Sequence, residues 1–154
     1  MNEYEIITKL EPRSIVSEQY RKLRTAIDYS TFNKELKVIN ITSTFPNEGK
    51  TVTGINLATV YAQSNLKTLI IDMDLRKPKI FNDFNIKNDS GVVHYLIGQK
   101  TLDEIIQKTH IPNLDVLTSG PIPPNPSELI LGESMKEMID ELKMLSCSAA
   151  LLQS

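Results

Sequence analysis

Apolar positions recur in two rhythms along this chain, and their alternation predicts a layered α/β domain. Val38-Ile39-Asn40-Ile41-Thr42 and Thr68-Leu69-Ile70-Ile71-Asp72 are short apolar runs with polar neighbours, as buried strands require. Between them Thr51 to Gln63 offers Val52, Ile55, Leu57 and Ala58 as apolar surface and reads as a helix. Strand, loop, helix and strand make a βαβ unit, and the crossover predicts that the two strands are parallel. Leu114-Asp115-Val116-Leu117-Thr118 reads as a third strand. Ser134 to Leu145 places Met135, Met138, Ile139, Leu142 and Leu145 on one face of an amphipathic helix.

The rest of the chain is less regular. Met1 to Ser14 is polar, contains Pro12, and is expected to be an extended arm. From Ser17 onward Tyr20, Leu23 and Ile27 recur at helix spacing, with Ser14 or Ser17 able to cap the helix. Asn33 to Lys37 is a polar connection, and Ser43 to Gly49 a loop with Pro46 and Asn47 as turn residues. Val92 to Ile97 and Leu102 to Lys108 are expected to be short helices. Gly120 to Pro126 is a proline-rich loop, and Ser127 opens a helix through Leu131. Ser146 to Ser154 is small and mildly apolar.

The length of 154 residues suits one domain, and 40% hydrophobic with 23% charged residues is ordinary for a globular protein. A net charge of −2 gives no global positive field, so no nucleic acid partner is expected. No run is long and apolar enough to cross a bilayer, and the N-terminus lacks the pattern of a secretory signal. One cysteine, Cys147, forms no internal disulfide, which suits a reducing compartment. Cys147, His94 and His110 have no partners at metal-ligand spacing.

The first candidate for chemistry is the loop after the first strand. Thr44-Phe45-Pro46-Asn47-Glu48-Gly49-Lys50-Thr51 matches the phosphate-loop pattern, with Thr44 in the first glycine's place. The loop and helix start from Thr44 through Val52 are expected to gather phosphate oxygens, through the N–H groups of all but Pro46. Gly49 lets the main chain approach, Lys50 supplies positive charge, and the Thr51 hydroxyl could bind Mg²⁺ bridging the phosphates of ATP. Asn47 stands where glycine is common, and asparagine tolerates left-handed backbone.

A second candidate ends the next strand. Asp72 and Asp74 leave its carboxyl end, where ligands bind in open α/β sheets, and the phosphate loop lies at the same end. They are expected to hold Mg²⁺ through water, and one could accept a proton from an attacking hydroxyl.

Together these motifs resemble the bacterial tyrosine kinases of capsule and exopolysaccharide synthesis. The resemblance rests on Ser43 to Lys50, on Ile70-Ile71-Asp72-Met73-Asp74-Leu75-Arg76-Lys77-Pro78, and on Glu18, Arg21 and Arg24 as an E-x-x-R-x-x-R helix. The segment Ser119 to Leu129 and the stretch Ser90-Gly91 through Gly98 are also similar, so it spans roughly Ser14 to Leu145. It implies a P-loop NTPase-type parallel sheet flanked by helices, and transfer of the ATP γ-phosphate to tyrosine. It implies that Lys50 and Thr51 bind phosphate and Mg²⁺, that Asp72 is the preferred base, and that Asp74 holds the metal indirectly, from behind its direct ligands. It implies a ring-shaped homo-oligomer whose neighbouring subunit meets Glu18, Arg21 and Arg24. It also implies an activator, the cytoplasmic tail of a membrane polysaccharide co-polymerase, which would hold the protein at the inner face of the plasma membrane.

One departure is plain. The family carries a third acidic motif, an apolar strand ending in Asp-x-Pro, and no Asp or Glu follows Glu141 here. The expectation is therefore an incomplete sheet lacking that strand and later ones: a kinase portion over residues 1–145, and an unrelated or disordered tail over 146–154, from a truncated or frameshifted gene. Two other readings stand beside the kinase. One is a MinD/ParA-like P-loop ATPase, against which Phe45 occupies the position of that group's extra lysine. The other is a non-catalytic interaction module that binds a membrane activator or intact kinase subunits.

Overall fold

A computed structural model describes residues 6–30, 38–45, 49–145 and 148–154. The expected polar connection from Asn33 to Lys37 and the start of the N-terminal arm lie outside the described residues. Five strands form one sheet: β1 (Val38–Ile41), β2 (Thr68–Asp72), β3 (Ile106–Lys108), β4 (Leu114–Leu117) and β5 (Ala149–Gln153), in the order β1-β5-β2-β4-β3. Strands β1, β5, β2 and β4 run parallel, and β3 pairs antiparallel at the edge beside β4.

Parallel strands are covered by helices on both faces, so their side chains must be apolar in both directions. Ile70, Val116 and Leu151 pack on one face with α3 (Lys50–Gln63), while Leu69, Ile71, Leu117 and Leu152 pack on the other. The second face is closed by α5 (Val92–Leu96), α6 (Leu102–Ile105) and α8 (Glu133–Met144), through Val92, Ile105, Met138 and Leu142. Helix α3 is buried from Gly54 to Ala62, so it works as a core helix rather than a surface one.

Several expectations need correction. The arm is not extended throughout: α1 (Ile7–Leu10) is a helical turn with Ile6 and Thr8 buried against the rest of the fold. Helix α2 (Ile15–Ser30) begins two residues before Ser17. Of the two possible caps, Ser14 Oγ accepts the Ser17 N–H at 3.1 Å, and Ser17 instead donates to the Glu11 carbonyl at 2.6 Å. The helix expected through Lys108 stops at Ile105, and the chain continues as β3. Two further helices are α4 (Ile80–Asp83), which was not expected, and α7 (Pro126–Leu131), which was.

The largest correction concerns the tail. Residues 149–153 are neither disordered nor separate from the domain. They form β5, inserted between β1 and β2 with Ile39 opposite Leu151 and Ile71 opposite Leu152. An inserted strand supplies ladder partners to both neighbours, which would otherwise leave buried N–H and C=O groups unpaired. Ala150 and Leu151 are fully buried. Among the described residues, no helix is long and apolar enough to cross a membrane.

Candidate functional site

The carboxyl ends of β1, β5 and β2 bring together the residues singled out from the sequence. Helix α3 starts at Lys50, immediately after Gly49, whose φ of 79° is left-handed. A side chain on Gly49 would meet nothing within 4 Å, so conformation rather than space demands glycine there. The Thr53 N–H donates to the Gly49 carbonyl at 2.9 Å. N–H groups earlier in the turn have no acceptor within the helix, and this is the anion-attracting end of its dipole. Val52 lies within this first turn of α3, and Thr44 is exposed. Pro46, Asn47 and Glu48, also expected to line the phosphate site, lie outside the described residues.

Lys50 is half-buried, and its ammonium donates to the main-chain oxygen of Ser154. Thr51 is engaged by the same segment: Gln153 Nε2 donates to Thr51 Oγ1 at 2.5 Å. Gln153 is 2% exposed, and among the described residues its Oε1 has no hydrogen-bond partner. Register sets Gln153 opposite Ile41 of β1 and Asp72 of β2. An uncharged amide thus stands at the strand end where the family resemblance requires a carboxylate. Sequence reasoning missed Gln153. The signal was the apolar run Ala149 to Leu152 after an amphipathic helix, which in an alternating α/β chain marks another strand.

Asp72 and Asp74 do emerge at this end of the sheet, but they differ. Asp72 is 1% exposed. Its Oδ1 accepts the Asp74 N–H at 3.0 Å, and its Oδ2 accepts the N–H groups of Lys79 at 3.0 Å and Ile80 at 3.2 Å. Burial raises its pKa to about 6 from an ordinary 3.8, and those three N–H groups oppose the rise. A carboxyl tuned to that range suits a general base. Yet both its oxygens are committed to folding residues 73–80 over the strand end. Asp74 is half-buried, and its Oδ1 accepts the Lys77 N–H at 3.0 Å.

These contacts test the metal expectation. The phosphate-binding elements fit an anionic ligand: a helix N-terminus, a left-handed glycine and a lysine. The proposed Mg²⁺ set of Thr51, Asp72 and Asp74 does not fit as arranged. A side-chain N–H points at the Thr51 hydroxyl, and both Asp72 oxygens already accept main-chain donors. Among the described residues, no group of three or more His, Cys, Asp or Glu side chains is placed to hold a metal ion.

The proline-rich loop is pinned beside the site. Asn88 and Gly120 exchange two hydrogen bonds, at 2.8 and 3.1 Å, and the Val92 N–H donates to the Thr118 carbonyl at 2.8 Å. Arg76 Nη2 donates to Ser127 Oγ at 2.7 Å, joining the acidic motif to the start of α7.

The charged residues of α2 divide. Glu18 and Arg21 form an ion pair at 3.0 Å on the outside, where Arg21 also donates to the Pro12 carbonyl. Arg24 instead turns inward, donating to the Val60 carbonyl at 3.1 Å and to Ser64 Oγ at the end of α3. Its guanidinium is therefore engaged within the chain, while the residue stays partly exposed on α2.

Comparison with known proteins gives a consistent result. A family model described as an AAA domain matches residues 36–144. The tyrosine-protein kinase YwqD of Bacillus subtilis (strain 168) is 44% identical over 136 residues, which is 88% of this chain and 57% of the relative. The crystal structure of the chimerical protein CapA2B2 superposes with a TM-score of 0.89 at 39% identity, covering 97% of this chain and 65% of that one. The kinase domain of the Escherichia coli tyrosine kinase ETK gives 0.90 at 33% identity, covering 96% and 57%. The chain spans a little over half the length of YwqD and of the putative tyrosine-protein kinase CapB of Staphylococcus aureus.

Proposed function

Because this chain belongs to the bacterial tyrosine kinase family of P-loop proteins, we propose that it is the nucleotide-binding portion of an ATP-dependent protein-tyrosine kinase serving capsule or exopolysaccharide synthesis. The observation that carries this reading is the meeting of Gly49, Lys50 and the α3 N-terminus with Asp72 and Asp74 at one end of the sheet. Phosphates of ATP enter at the first turn of α3, gathered by its N–H groups. Lys50 exchanges the Ser154 oxygen for a phosphate oxygen, which carries more negative charge and pairs more strongly with the ammonium. Asp72 folds the following loop so that Asp74 sits at the rim of the site. A tyrosine hydroxyl reaches Asp72 as base only when residues 73–80 move aside.

The same reading assigns partners. Assembly would use the exposed face of α2 that carries Glu18 and Arg21, and a membrane activator would recruit the protein to the inner face of the plasma membrane. Support for both comes from the family resemblance. The test of the core claim is binding of a fluorescent ATP analogue to the purified chain and to Lys50→Met. Saturable binding that Lys50→Met weakens at least tenfold, about 1.4 kcal/mol, is expected. Equal affinity for both proteins would remove the phosphate loop from the account.

One observation favours a second reading. Gln153 cannot supply the charge or proton acceptance of a carboxylate, so this chain would act as a non-catalytic module that binds an activator or intact kinase subunits. Copurification with a complete kinase, with no ATP turnover by the chain alone, distinguishes the two.

A further inference from the structure

The end of β5 is the part of the site that the motifs do not explain. Gln153 is buried at the meeting of three strands and a helix N-terminus, with its Nε2 2.5 Å from Thr51 Oγ1. A side-chain methyl built on Gly54 would lie 2.6 Å from Gln153 Oε1, so the amide is wedged between Thr51 and the first turns of α3. Resting on the nucleotide-binding reading above, we infer that Gln153 makes nucleotide binding by this chain independent of Mg²⁺.

Magnesium demands near-octahedral oxygen ligands at about 2.0–2.1 Å and gives up its waters reluctantly. In nucleotide sites it is drawn by phosphates together with a hydroxyl and one or two carboxylates. Here the hydroxyl oxygen of Thr51 receives an N–H, so part of the lone-pair density that a cation would use is already engaged. The amide carries no net charge whichever of its ends faces Thr51, so it holds a divalent ion less strongly than a carboxylate would. The buried Asp72 carboxylate beside it already accepts three N–H groups, which draws its charge toward the main chain rather than toward a cation. The phosphate side of the site is unaffected, because Lys50 and the α3 N–H groups act on anions without a metal. Nucleotide therefore binds through the helix N-terminus and lysine, and a cation it carries gains little from the protein.

The experiment is titration of the purified chain with a fluorescent ADP analogue, in excess MgCl₂ and in EDTA. The wild-type Kd values should agree within about threefold, and Gln153→Asp should bind at least about tenfold tighter with Mg²⁺ than without. Tightening of wild type by about tenfold or more on adding Mg²⁺ overturns the inference. A Gln153→Asp chain that folds and remains insensitive to Mg²⁺ overturns it too. If that variant does not fold, wild type alone decides through electron paramagnetic resonance of Mn²⁺ with ADP. The affinity of Mn²⁺ for ADP should be the same with and without saturating protein, and tighter Mn²⁺ binding in the presence of the protein counts against the inference. Absence of nucleotide binding in both buffers is a different failure, since it removes the nucleotide-binding reading itself.

Discussion

The side-chain oxygen of Asn56 accepts both the N–H of Thr8, at 3.1 Å, and its hydroxyl, at 2.8 Å. All of these groups are buried, and Asn56 Nδ2 donates to the Val52 carbonyl at 2.9 Å. Gln63 closes the contact from the far end of α3 by donating to the Thr8 carbonyl at 2.9 Å. The N-terminal segment is therefore bonded along the same helix whose first turn faces the phosphate site. Replacing Asn56 by Ala strands two buried donors of Thr8, which costs roughly 2–3 kcal/mol. Thr8→Ala removes only one donor and costs about 1 kcal/mol. Urea unfolding of the two variants should show that order, with Asn56→Ala also speeding proteolysis ahead of Ser14.

Two glycines separate conformational from steric need. Gly49 has positive φ and open space around it, so Gly49→Ala should cost about 1–2 kcal/mol of stability, from backbone strain alone. Gly91 is different. A Cβ there would lie 2.1 Å from the Thr118 carbonyl and 2.4 Å from the Gly120 N–H nitrogen, both main chain that cannot step aside. Gly91→Ala should therefore unfold or reorganise the loop pair at residues 88–91 and 118–120, costing about 4 kcal/mol or more. Denaturation midpoints check the contrast, and equal losses at the two positions would contradict it.

Asp72 makes stability depend on pH in an uncommon direction for a carboxylate. Its folded pKa, about 6, lies above the ordinary 3.8, so the folded state binds its proton more tightly than the unfolded state. The stability this contributes is fully present below about pH 4 and is lost as pH rises through about 6. A shift of that size corresponds to roughly 2–3 kcal/mol. Asp72→Asn carries no titratable proton, so the stability of wild type minus that of the variant should fall between pH 4 and pH 7. Paired urea titrations at several pH values measure that difference. A difference that grows with pH would mean that the three N–H donors outweigh burial.

Much of this architecture was legible in the chain, for reasons that can be named. Val38 to Ile41, Thr68 to Asp72 and Leu114 to Leu117 are β-branched or leucine-rich runs, and a strand buried on both faces needs that composition. Helix α8 showed itself by periodicity, since Met138 and Leu142 lie one turn apart and face the core. Helices α1 and α4 are single turns, too short for a periodic signal, and α1 is fixed by Thr8 and Asn56 rather than by its own propensity. Strand β3 follows α6 without a break, so Ile106 to Lys108 reads as more of the same helix. Within the site, Gly49, Lys50, Asp72 and Asp74 were visible as motifs. Their hydrogen bonds were not, because nothing local reveals that Asp72 spends both oxygens on Asp74, Lys79 and Ile80.

Strand β5 is where sequence and structure diverge most, and it gives the sharpest stability test. Alanine, leucine and glutamine are weak strand formers, so Ala149 to Gln153 owes its conformation to the slot between β1 and β2. Leu151 is fully buried and belongs to the cluster that joins α3 to the sheet, with Ile70 and Val116. Leu151→Ala should cost about 2–5 kcal/mol, the ordinary range for emptying a core leucine site. Leu131, by contrast, is 85% exposed on α7, and Leu131→Ala should change stability by no more than about 0.5 kcal/mol. A tail lying outside the sheet would make the two substitutions equally harmless. Hydrogen exchange offers an independent check, because amides of residues 150–153 bonded on both sides should exchange as slowly as those of β2.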